Sequence, residues 1–98
     1  LTLSRELFAN DVIILQGLQS SKLTLKSARS TKKVTVEFPG FPYLGIWHKE
    51  GNAPFVCIEP WYGIPDFAGS VEPIADKKGI MLLEPGQQFR CSYSIIVA

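Results

Sequence analysis

Ninety-eight residues allow one domain at most, near the size at which a single core barely outweighs chain entropy. Hydrophobic residues make up 46% and charged residues 19%, which excludes a disordered tail, and no apolar run approaches membrane-spanning length. The formal net charge is +1 and the lysines are scattered, so neither nucleic acid nor membrane is an expected partner.

Ser4 to Phe8 suit one helical turn capped by Ser4, with Asp11 after it as a turn residue leading into a strand. From there period-two alternation dominates, in blocks separated by glycine, proline or small polar residues, and predicts a mostly antiparallel β chain. VIIL (Val12 to Leu15) is apolar throughout, as expected of a strand covered on both faces. In SKLTLKS, Leu23 and Leu25 alternate with Lys22, Thr24 and Lys26; in KKVTVEF, Val34, Val36 and Phe38 alternate with Lys33, Thr35 and Glu37. These predict a hairpin with one wet face and ARST as its loop. Phe38-Pro39-Gly40-Phe41-Pro42 is a turn feeding YLGIWH, which is apolar on both faces up to His48.

A further turn at Glu50-Gly51-Asn52-Ala53-Pro54 precedes the strand FVCIE, and Pro60, which lacks a backbone donor, is expected to end regular pairing there. Residues 60 to 78 then read as a long loop. GIMLLE predicts a short buried strand closed by Pro85-Gly86. The last block places Phe89, Cys91, Tyr93, Ile95 and Val97 on one side and Gln88, Arg90, Ser92, Ser94 and Ile96 on the other, a strand with one packed and one wetter face. Cys57 and Cys91 lack metal-ligand spacing and are expected as two buried, inert thiols.

Glu59 is the residue that asks for an explanation, because a carboxylate closing an apolar strand must either reach water or hold something. In one reading it lies at the fraying end of the strand and points to solvent. In the other it stands at the mouth of a partly dry cleft, where desolvation makes it a better general base. Trp61, Tyr62 and Trp47 offer flat faces for the C–H surface of a sugar ring, or serve simply as core. His48, beside Lys49 and Glu50, reads as a solvated rim residue without a partner for a triad or metal site. Lys32-Lys33 and Lys77-Lys78 read as surface pairs, and there is no Gly-rich phosphate loop.

FPYLGIWHKEGNAPFVCIEPWYGIPD, followed by KKGIMLLEPGQQF and an alternating final strand, resembles the C-terminal part of the aldose 1-epimerase (galactose mutarotase-like) superfamily, in its LacX-like branch. The similarity extends upstream through LFANDVIILQGLQSSKLTLKS. The resemblance implies an antiparallel β-sandwich, the C-terminal part of a supersandwich enzyme that interconverts the α and β anomers of an aldose. Residues 1–98 would then be a single segment of a longer domain. Glu59 matches the family's general-base glutamate, and Asp11 resembles an aspartate that touches sugar hydroxyls in relatives. Where galactose mutarotases carry Glu-Thr-Gln and then Pro-Asp-Ala, this chain has Glu59-Pro60-Trp61 and Pro65-Asp66-Phe67, so a sugar-binding glutamine has no counterpart here.

The family's acid histidine lies upstream of the region matched, and His48 does not fit its motif. The resemblance therefore implies a C-terminal fragment that carries half of a catalytic pair and is of little activity alone; separately, the chain opens at Leu1 with no initiator methionine, so its start reads as excised. It implies an aldose as partner, no cofactor or metal, a cytoplasmic location, and self-association through exposed strand edges or an apolar face. Two other functions fit the same residues: a non-catalytic carbohydrate-binding sandwich, and a hexose-6-phosphate mutarotase relative.

Overall fold

Alternating sequence needs two sheets to bury its apolar sides, and among the described residues six strands supply them. The computed structural model describes all residues except Asn52, Phe67 and Ser70, which places part of the 50–54 turn and part of the 60–78 loop outside the described residues. The strands are β1 (Ile13–Gln16), β2 (Lys22–Ser27), β3 (Ser30–Glu37), β4 (Tyr43–Trp47), β5 (Cys57–Trp61) and β6 (Ser94–Val97). One antiparallel sheet has the order β1-β4-β5 and the other β2-β3-β6, so the chain crosses between sheets after β1, β3 and β5. The fold is all-β, an antiparallel sandwich of two three-stranded sheets.

Between the sheets, Val36 and Phe38 meet Leu44 and Ile46, and Phe8 closes one side. Phe8 arrives on a short 3-10 turn, Glu6–Phe8, which Arg5 directly precedes, and the Ser4 hydroxyl one residue earlier accepts a hydrogen bond from the Leu7 N–H at 3.3 Å. The hairpin pairs Leu23 with Val36 and Leu25 with Val34 on its inner side. On its wet side the Thr24 and Thr35 hydroxyls are 2.8 Å apart. Its loop is shorter than ARST, because Ser30 and Thr31 belong to β3 and only Ala28 and Arg29 remain between the strands.

Four expectations fail, each for a physical reason. β1 is not covered on both faces: Ile13 and Leu15 pack on the core while Ile14 is exposed, because only one sheet face has a neighbour. Pro60 does not end β5. It pairs opposite Leu44 with a trans Glu59–Pro60 bond, tolerated because β5 is an edge strand whose missing donor interrupts no inner ladder. GIMLLE forms no strand, and Met81, Leu82 and Leu83 are exposed. The last strand is confined to β6, whose Ile95, Ile96 and Val97 are all exposed, and Cys91 is exposed with them. Alternation states which way a residue faces, but packing needs a second surface to receive it. Within 81–97, Phe89 and Tyr93 meet Tyr62 and Phe41, while Met81, Leu82, Leu83, Ile95, Ile96 and Val97 stay exposed. The radius of gyration, 15.9 Å, accordingly exceeds the ~13 Å of a compact chain of this length.

Candidate functional site

The register of β4 against β5 decides what surrounds Glu59. Directly opposed residues of an antiparallel pair share a face, and the pairs Tyr43 with Trp61, Gly45 with Glu59, and Trp47 with Cys57 fall on the side away from the core. Ile14, opposite Gly45, and Gln16, opposite Tyr43, join them from β1. The alternate residues Ile13, Leu15, Leu44, Ile46 and Ile58 form the core side. Glu59 thus leaves an apolar strand on its outer face, where it is half-buried.

Two indoles hold it there. Trp47 Nε1 donates to Glu59 Oε1 at 2.9 Å, and Trp61 Nε1 donates to Oε2 at 3.2 Å. Each carboxylate oxygen has two lone pairs, so with one indole apiece both keep acceptor capacity. The orientation is fixed from two sides, since Trp47 sits across the strand pair and Trp61 two residues along on the same face. Phe55 meets the Trp47 ring edge-on at 6.1 Å between centroids.

Gly45 makes the second indole bond possible. A Cβ at this position would stand 2.7 Å from Cζ2 and 2.9 Å from Cη2 of Trp61. The Trp61 benzo ring therefore lies over the bare backbone opposite Glu59, forming an aromatic floor beside the carboxylate. Sequence reasoning missed Gly45, although a glycine inside the apolar run YLGIW is a recognised mark of close approach.

The other residues singled out by sequence separate in space. Tyr62 follows Trp61 out of the strand and packs on Phe41 at 4.6 Å and Phe89 at 4.8 Å between ring centroids, in an aromatic cluster of its own. Asp11 is exposed in the turn before β1, with φ of 76°, a left-handed conformation that Asp tolerates better than most residues. Its N–H donates to the Phe8 carbonyl at 3.0 Å. Because Ile13 pairs with Ile46, that turn lies at the Trp47 and His48 end of the sheet, and the register does not bring Asp11 to Glu59. His48 is half-buried and meets Phe8 edge-on at 5.7 Å, rather than standing solvated at a rim.

Cys57 shares the outer face with Glu59. Burial pushes its thiol above the ordinary value, and the nearby Glu59 charge adds to that. Glu59 lines neither of two sizeable concavities. One, of about 780 Å³, lies between the sheets among Leu3, Leu23, Leu25, Ile46, Val56 and Ile58; the other, of about 380 Å³, is bordered by Phe8, His48 and Phe55. The carboxylate stands on the outer, aromatic face of this sheet, half-buried.

The chromosomal and the plasmid LacX proteins of Lactococcus lactis subsp. lactis are each 33% identical to this chain over 97 residues. Over nearly its whole length the chain is similar to these two proteins. The match takes in 99% of the chain and 32% of each LacX protein, so the chain spans about a third of the length of the curated relatives it matches. No family model matches it, and no solved structure does. Among the described residues, no helix is long and apolar enough to cross a membrane, and no group of three or more His, Cys, Asp and Glu could hold a metal ion.

Proposed function

We propose that this chain carries part of the sugar site of an aldose 1-epimerase-like isomerase, with Glu59 as general base. The observation that carries the reading is the double indole clamp: a carboxylate held by Trp47 and Trp61 on an accessible aromatic face, with acceptor capacity to spare. A sugar ring stacked on the Trp61 floor presents its anomeric hydroxyl to Glu59. Glu59 takes the proton from that hydroxyl, an acid protonates the ring oxygen, and the bond between C1 and the ring oxygen breaks to give the open-chain aldehyde. Rotation about C1–C2 and reclosure, with both protons returned, yields the other anomer.

The general acid is assigned to a histidine outside these residues, in a longer LacX-like polypeptide. The cytoplasm is the proposed compartment, and Asp11 and Tyr62 are proposed sugar contacts only in an assembly that brings them to the face. We also propose that the exposed apolar stretch 81–97 is covered by self-association.

A binding role without catalysis is the second reading, favoured by the place of Glu59 on an aromatic sheet face outside the two sizeable concavities: such a face suits a binding platform as well as an active site. One experiment separates the two. In the full-length protein, Glu59→Gln is expected to lower the rate of anomer exchange, followed by polarimetry or NMR, by about 10²- to 10⁴-fold, the usual range for a positioned acid or base. Retained exchange with weakened sugar binding would instead make Glu59 a binding residue.

A further inference from the structure

We propose that Gln16, oriented by Lys78, is a second polar anchor of the Glu59 face and binds the edge of a sugar remote from its anomeric centre. The inference rests on reading this face as an aldose site. Gln16 is exposed and projects from the same side as Glu59, opposite Tyr43, which in turn faces Trp61. Usual sheet spacings, two strands across and two residues along, separate the Gln16 and Glu59 backbones by about 12 Å. The Trp61 indole occupies the space between, over Gly45.

An end wall makes Gln16 more than a surface amide. The segment Lys77 to Gly79 crosses the Tyr43 end of this sheet: a Cβ on Gly79 would stand 2.6 Å from the Tyr62 carbonyl oxygen and 3.5 Å from Cε2 of Tyr43. That approach requires glycine twice over, since Gly79 also has φ of 83°. Lys77 is tied back by an ion pair with Asp66 at 2.9 Å. Lys78 reaches Gln16, its Nζ 3.5 Å from Oε1. An ammonium can only donate, so this contact selects the oxygen end of the amide and leaves the Gln16 NH₂ group as a donor to a ligand oxygen. A carboxylate on one flank, an aromatic floor, and an amide with an ammonium on the other flank suit a single sugar that offers a hydroxyl proton at one edge and oxygen acceptors at the opposite edge. Those acceptors are a free hydroxyl or the oxygens of a phosphate ester.

Calorimetric titration of the full-length protein with glucose and with glucose 6-phosphate tests this. A tryptophan fluorescence response that is lost in Trp47→Phe and in Trp61→Phe locates binding at the clamp. Gln16→Ala, and Gln16→Glu as a variant of matched size, are expected to weaken binding about 5- to 10-fold, the loss of one hydrogen bond, with unchanged thermal melting. Lys78→Met weakening glucose 6-phosphate more than glucose would assign the phosphate as the acceptor, and equal weakening would assign a hydroxyl. Wild-type affinity for both sugars in both Gln16 variants overturns the inference and leaves the aldose reading standing. No binding of either sugar by the wild-type protein overturns that reading and the inference with it.

Discussion

Glu59 accepts from two donors that differ in sequence position but share one sheet face, and the consequences of changing it follow from that geometry. Hydrogen bonds to a charged group contribute about 1.5–3 kcal/mol each, so Glu59→Gln, which turns an NH₂ toward one indole N–H, disturbs folding as well as the proposed chemistry; its melting temperature belongs beside its kinetics. Gly45→Ala tests the clamp without touching the carboxylate. The added methyl cannot coexist with Trp61 at 2.7 Å, so the indole must move and its bond to Oε2 breaks. A loss of about 1–3 kcal/mol is expected, the range for overpacking, together with a red-shifted tryptophan emission. An unshifted spectrum at full stability would mean that the indole does not rest on Gly45.

Cys57 provides a second probe at this scale. Its pKa is raised, first by burial and then by Glu59, so Cys57 should alkylate more slowly at pH 8 than the exposed Cys91. Removing the charge with Glu59→Gln should speed Cys57 and leave Cys91 unchanged, as mass spectrometry of alkylated peptides would record. The linkage has a definite sign. With the folded pKa above the unfolded one, the folded state holds the proton longer, so the contribution to stability is complete below the unfolded pKa of about 8.5. It is lost as pH rises through the folded value. Denaturant midpoints should fall on the alkaline side more steeply for wild type than for Cys57→Ser.

Strand β4 governs the element scale. It is the central strand of its sheet, pairing with β1 and β5, and its two faces serve different ends: Leu44 and Ile46 fill the core, while Tyr43, Gly45 and Trp47 build the candidate site. Leu44 has 0% of its surface exposed, so Leu44→Ala should cost about 2–5 kcal/mol by chemical denaturation. The site should suffer with it, because the strand that carries the cavity also carries Trp47. On β5, edge placement reconciles a proline with a strand, and the continued ladder extends the outer face from Glu59 to Trp61. Had pairing stopped at Glu59, the second indole would have no reason to lie over Gly45.

For the whole molecule, the decisive contrast is between a well-formed pair of sheets and a final stretch with strand-like sequence but exposed side chains. Val97 is 77% exposed and Ile95 60%, although the register points them to the same side of β3 as Val34 and Val36. β6 is also an edge strand, open to further pairing. The 10.9 kDa chain should therefore sediment above its monomer mass, and Ile95→Lys with Val97→Lys should return it to monomer. A wild-type chain that stays monomeric at high concentration would show that this surface needs no cover of its own kind.

Local periodicity was enough to settle the β class, the hairpin from Lys22 to Glu37, the turn from Ser4 to Phe8 and the isolation of Glu59 at the end of an apolar run between tryptophans. Each of these depends on residues close together in the chain, where pleat and side-chain chemistry act directly. The register of β1 and β5 on β4 depends on contacts between distant segments, and it alone decided that Glu59 faces outward, that both indoles reach it, that Gly45 clears the floor and that Gln16 stands across from it. The same limit explains the failed strand at 79–84: alternation is a property of one segment, whereas burial is a property of two surfaces meeting.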